Sequence, residues 1–182
     1  MVIALLQRPT HTHTQDGRWD MIIAHPPCTY LSNCATRMYS LKATPAEKVV
    51  WRWEQRAKAA VFFMRFALAD CEKICVENPV GFMSSAYQPP TQYIEPYQFC
   101  DSIDSAEYVT KKTGLWLKGL PTLQRTNDFD RPKQEQYFSK YKNGYKSKTW
   151  CNYGCNGKGK DRSKERSKTF YGIAEAMAEQ WG

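Results

Sequence analysis

Two short runs of the sequence bring together residue types that can do covalent chemistry. The first is Met21-Ile22-Ile23-Ala24-His25-Pro26-Pro27-Cys28-Thr29. An apolar run cut off by two prolines reads as a buried strand, and the prolines stiffen the turn that follows. Cys28 is thus expected on a rigid turn at the carboxyl end of a strand, where open α/β sheets gather their ligands. The second run is Val76-Glu77-Asn78-Pro79, which closes a strand read over Lys73 to Glu77. A thiol and a carboxylate on neighbouring strand ends suit attack by sulfur on a substrate held by an acid.

Other chemistry-bearing residues have plainer readings. Cys71 and Cys75 flank a strand and read as structural thiols; Cys34 and Cys100 carry no signal, and His11 and His13 fall in a polar loop. Cys151 and Cys155 have a spacing that zinc tolerates, but no second pair accompanies them, so no metal is expected.

The elements that position the two runs follow from pattern. Thr44, Pro45 and Glu47 form a capping-box signature ahead of a helix read over Pro45 to Ala69. Along it Val50, Trp53, Ala57, Ala60, Val61, Met64 and Leu68 recur at helical spacing. Trp51 and Trp53, with Phe62, Phe63 and Phe66, read as core. Tyr87, Tyr93 and Tyr97, set among prolines, are candidates for a surface that touches DNA. The strands expected are Met21 to Ala24, Ile74 to Glu77, a short one near Tyr97 to Phe99, and Thr113 to Leu117. Phe170 to Trp181 reads as a closing helix with Ile173, Ala174, Met177 and Trp181 on one face. Strand and helix alternate without an internal repeat, which favours an α/β fold with parallel strands in a single domain spanning 1–182.

Composition bounds the function classes. The 182 residues are 42% hydrophobic and 24% charged, values that exclude a disordered or collagen-like chain. No apolar run approaches the roughly 18 residues a bilayer span needs, and the start lacks the marks of a signal peptide. Seven cysteines, an odd count in no regular framework, suit a reducing cytoplasm. The net charge of +8 is concentrated: Arg131 to Lys168 holds 12 basic residues against 3 acidic ones, and the remainder is nearly neutral. Such a block, expected as a flexible insertion, suits contact with phosphates; Lys158, Lys160, Arg162 and Lys164 are its candidate DNA-binding residues. A solvated loop is the alternative.

Together, the Pro-Pro-Cys run, the Glu-Asn-Pro run and the basic-then-apolar stretch Lys111-Lys112-Thr113-Gly114-Leu115-Trp116-Leu117 resemble the DNA cytosine-5 methyltransferases. The runs DMIIAHPPCTYL and VENPVGFMSSAYQPPTQYIEPYQF are similar to small phage-type and prophage-type members. The resemblance covers most of the chain from Val2 onward and implies the following chemistry. Cys28 attacks C6 of a cytosine flipped out of the duplex. Glu77 holds the ring N3 and amino group, and a methyl group passes from S-adenosylmethionine to C5. His25, Pro27, Asn78 and Pro79 shape the pocket, and Lys111 and Lys112 steady the thiolate or hold phosphate.

The family also begins with a strand, a glycine-containing cofactor loop and an acidic residue for the ribose, and none of these lies upstream of Val2. The resemblance therefore implies a partial Rossmann-like sheet that lacks its first strand and cofactor loop. It implies weak or absent S-adenosylmethionine binding and an open edge at Met21 to Ala24 awaiting a complementing chain or a second copy. The rival reading is a non-catalytic DNA-binding or interaction protein derived from such an enzyme, or one half of a split enzyme. Amino-methylation of a base fits less well, because those enzymes carry an aromatic residue where this chain has cysteine.

Overall fold

The computed structural model describes residues 3–6, 19–132, 138–140, 146–148 and 170–182. The chain divides into two compact units, one of residues 1–94 and 112–122, the other of 95–111 and 123–182.

The first unit is built on a five-stranded sheet in the order β1-β2-β3-β5-β4: β1 (Ile3–Leu6), β2 (Met21–Ala24), β3 (Lys73–Pro79), β4 (Gln92–Ile94) and β5 (Thr113–Lys118). β2 and β3 are parallel, with Ile22 opposite Ile74 and Ala24 opposite Val76; β1–β2, β3–β5 and β5–β4 are all antiparallel. The sheet is therefore mixed and compatible with a Rossmann-like α/β fold, whereas strand–helix alternation alone suggests parallel strands. Apolar runs specify that a strand is buried, not which way it points.

Two further expectations are corrected. The edge of β2 is not open: β1 pairs with it from Ile3 opposite Ala24 to Leu6 opposite Met21, so its ladder groups are met on both sides. The strand expected near Tyr97 to Phe99 is a 3-10 turn, Pro96–Gln98. Pro96 lacks an N–H for a ladder, and Glu95 and Gln98 cap the turn reciprocally. The strand falls a few residues earlier, at β4.

The crossover from β2 to β3 carries α1 (Ala46–Ala67), whose N-cap is Pro45. Thr44 is buried and its hydroxyl makes no hydrogen bond, so the expected capping box is not formed. Phe63 is fully buried from α1, in a core with Ile22, Ala24, Leu31, Cys71, Ile74, Val76, Met83 and Trp116. Each large apolar side chain enclosed there contributes about 1.5–3 kcal/mol. Trp116 can lie in it because its indole N–H donates to the Gln88 carbonyl at 2.8 Å. Trp51 and Trp53 are not core: they are 50% and 46% exposed. After β3 the chain turns through Gly81 into α2 (Met83–Ala86).

In the second unit, Tyr97 is buried rather than offered on a surface. Asn127 donates its side-chain N–H groups to the Tyr97 and Cys100 carbonyls at 3.1 and 2.7 Å, tying the 123–132 segment to the 3-10 turn. The closing helix, α3 (Tyr171–Trp181), buries Ile173, Met177 and Trp181 as expected; Ala174 faces solvent, and Ala176 is buried instead. Within the basic block, β6 (Phe138–Lys140) and β7 (Lys146–Lys148) form an antiparallel ribbon. Lys158, Lys160, Arg162 and Lys164, like His11, His13, Cys151 and Cys155, lie outside the described residues. Among the described residues, no helix is long and apolar enough to cross a membrane.

Candidate active site at the Cys28 turn

The parallel register of β2 and β3 decides what meets at their carboxyl ends. Ala24 lies opposite Val76, so the next residues, His25 and Glu77, emerge side by side. His25 Nδ1 and Glu77 Oε2 are 2.9 Å apart, and each side chain is 21% exposed. With Nδ1–H donating to the carboxylate, Nε2 becomes the acceptor of the imidazole. Oε2 of Glu77 is thus engaged, and Oε1 has no partner among the described residues. One step further along, Asn78 is buried and donates its side-chain N–H to the Pro26 carbonyl at 2.8 Å. Its Oδ1 is buried and accepts no hydrogen bond.

Cys28 follows on a turn that is tied down at three of its carbonyls. The Cys28 carbonyl accepts from the Leu31 and Ser32 amides at 3.0 and 2.9 Å. The Tyr30 carbonyl accepts from Arg56 Nε at 2.8 Å and from the Tyr39 hydroxyl at 3.0 Å. The Leu31 carbonyl accepts from the Phe82 amide at 2.7 Å, and Ser32 bridges Gly81. A Cβ on Gly81 would stand 2.1 Å from the Leu31 oxygen, so only glycine admits this approach. The thiol itself is half-buried.

The other thiols of the described chain differ. Burial, aided by the charge of Glu77, pushes Cys75 far above the ordinary thiol range, and burial likewise raises Cys100. Both are held as neutral, inert sulfur. Cys71 is buried and donates to backbone carbonyls.

Among the expected site residues, His25, Glu77, Asn78 and the Pro26 carbonyl are brought together, with Pro27 exposed on the same turn. Lys112 immediately precedes β5 at the sheet end where β3 finishes, since Thr113 lies opposite Pro79, and its ammonium stands 4.1 Å from the Tyr93 ring centroid. Lys111 belongs to the other unit and lies over Phe170 at 5.0 Å. Sequence reading missed Arg56, Tyr39 and Gly81, the residues that hold the turn. Arg56 had a signal: it is the charged member of the seven-residue series Val49, Arg56, Phe63 on the buried face of α1.

The methyl donor implied by the resemblance can be tested against the glycines, where a nucleoside cradle needs open backbone. At Gly81, Gly119 and Gly172, the position of a Cβ lies within 2.0–2.2 Å of a carbonyl oxygen of the protein. At Gly114 it meets Pro90 and Trp116. None of these opens toward a ligand, and the neighbour of β2 is an antiparallel strand. A glycine cradle for S-adenosylmethionine is therefore not formed at these four positions.

No protein-family model matches the sequence, and neither the curated proteins nor the solved structures contain a match. The chemistry of this chain therefore rests on its own residues.

Proposed function

We propose that the chain is a DNA cytosine-5 methyltransferase-like protein whose described residues form the base-activating half of the site. The observation that carries this reading is the pair His25–Glu77 at 2.9 Å beside the clamped turn of Cys28. The thiolate of Cys28 adds to C6 of a flipped cytosine, forming the carbon–sulfur bond while the electron pair of the C5–C6 double bond shifts toward C5 and N3. A proton held between His25 Nδ1 and Glu77 offsets the charge growing at N3, and Glu77 Oε1 accepts from the exocyclic amino group. C5 is then nucleophilic. S-adenosylmethionine, when bound, would supply the methyl group that C5 takes. Loss of the C5 proton to solvent water re-forms the C5–C6 double bond as the carbon–sulfur bond breaks and the sulfur leaves as thiolate. DNA is the substrate, and the basic block of 131–168 supplies phosphate contacts. The bacterial cytoplasm, with phage-encoded or prophage-encoded origin, is the setting, since the mechanism needs a reduced thiol.

A donor-independent reaction tests this. The same adduct lets C5 take a proton from solvent and release its original hydrogen, so DNA labelled with tritium at cytosine C5 should lose label to water. The expected result is release by the parent, and a loss of more than about a hundredfold in Cys28→Ser, because a serine hydroxyl is a far weaker nucleophile than a thiolate. Release that persists in Cys28→Ser overturns the assignment. A parent that binds DNA yet releases no label favours the non-catalytic rival.

A further inference from the structure

The clamp behind the Cys28 turn contains more positive charge than a structural role requires. Lys48, Arg52 and Arg56 follow one another at i, i+4 and i+8 on α1. Like charges at this spacing repel along a helix, a cost that an anion between them removes. Arg56 is 7% exposed, and its guanidinium carbon lies 3.4 Å from the centroid of the Tyr39 ring, with Trp53 and Phe82 at 5.0 and 4.9 Å. Arg52 shares the same ring, 5.0 Å from Tyr39 and 5.4 Å from Tyr30. Two guanidinium groups thus flank one tyrosine, and among the described residues no carboxylate pairs with either. Arg52 Nε is buried and donates to nothing. A buried guanidinium N–H without an acceptor is costly, a cost relieved when the half-buried Arg52 side chain shifts onto an arriving anion.

We propose that Arg52, with Arg56 behind it and Lys48 at the rim, binds a phosphodiester of the DNA strand presented to the Cys28 turn. The geometry favours a nucleic-acid anion over an acidic peptide. Trp51 and Trp53, the indoles flanking Arg52 in sequence, are half-exposed, and Trp51 meets Tyr30 edge-on at 5.9 Å. Flat faces beside guanidinium groups suit bases attached to a phosphate backbone. The site is coupled to the thiol through the chain itself. Tyr30, whose ring lies against Arg52 and whose carbonyl holds Arg56, is two residues from Cys28. An anion drawn to this pair pulls on the turn that carries the sulfur. Arg56 is therefore a positioning residue for the turn, and Arg52 the contact to the strand. The assignment deepens the cytosine-5 reading and rests on it for the identity of the strand.

The test is a fluorescently labelled 20-base-pair DNA duplex titrated with the full chain at several sodium chloride concentrations. Arg52→Gln should weaken binding about fivefold to tenfold near 0.1 M salt and flatten the log–log salt slope by about 0.9, the loss of one phosphate contact. Arg52→Lys, which keeps the charge, should retain most of the slope and report that the fold is unharmed. An unchanged slope in folded Arg52→Gln overturns the proposal. So does a result in which sodium phosphate raises the melting temperature in an Arg52-dependent way while the duplex binds parent and variant alike, since the site then takes free phosphate only. Tritium release on the same proteins separates this from the enzymatic reading. A parent without release whose duplex binding still depends on Arg52 leaves the strand site standing and the enzyme refuted. A releasing parent indifferent to Arg52 does the reverse.

Discussion

Two glutamates, one in each unit, show how a site differs from a joint. Glu107 spends both oxygens on backbone: they accept the Tyr171 and Gly172 amides at the start of α3, where helices leave N–H groups unmet. Glu77 spends one oxygen on another ionisable side chain, and among the described residues the other has no partner, at the strand end whose neighbour leads into the Cys28 turn. Both carboxylates are partly buried, so burial alone does not separate them. Spare hydrogen-bonding capacity does. A structural carboxylate is saturated by groups that cannot change state, whereas a chemical one is paired with a group that can and retains an oxygen for the substrate.

Substituting the two residues should therefore give opposite outcomes. Glu77→Gln keeps the shape but can neither share the His25 proton nor carry charge. Tritium release should fall about a hundredfold or more while the melting temperature changes little. Gly81→Ala acts on the scaffold between these extremes. Its methyl would overlap the Leu31 carbonyl, so the Phe82–Leu31 bond must part or the turn must move. Chemical denaturation should show a loss of about 1–3 kcal/mol together with reduced release. Glu107→Ala should be the mildest, costing about 1 kcal/mol in the same denaturation assay through the lost cap, with release intact. A Glu107→Ala variant that lost release without losing stability, or a Glu77→Gln variant that did the opposite, would break the distinction.

The proposed reactive pair is legible in the sequence for a physical reason. Short apolar runs ended by proline mark β2 and β3, and parallel neighbours put Cys28 and Glu77 at one end of the sheet. The sequence conceals what holds them. The Arg56–Tyr30 bond links residues 26 apart, from a helix face to a backbone carbonyl, and carbonyls leave no trace in side-chain types. Val2 to Leu6 is a short apolar run, but such a run encodes neither direction nor partner, so the antiparallel course of β5 and the pairing of β1 with β2 had no signal. At α1, the capping pattern Thr44-Pro45-Ala46-Glu47 was present in letters, yet the hydroxyl of Thr44 is buried facing no donor or acceptor. A capping box requires the backbone to present its amides to the side chain, and residue order does not guarantee that.

The bonds joining the two strand regions have a further consequence, for the order in which the protein folds. His25 to Glu77, Pro26 to Asn78 and Trp19 to Cys71 each close a loop of the same 52-residue separation. None can form until the intervening chain has been drawn back on itself, and such distant closures slow folding. The 22 residues of α1 lie inside that loop and can wind on the sub-microsecond to microsecond scale of local helices. Once wound, they replace much of a flexible chain with a rod of about 33 Å. The three bonds then form nearly together as β2 and β3 align. The Cys71 thiol is bare while the chain is still being searched into place and is buried in a single late step, so oxidation at Cys71 should harm refolding far more than it harms the folded protein.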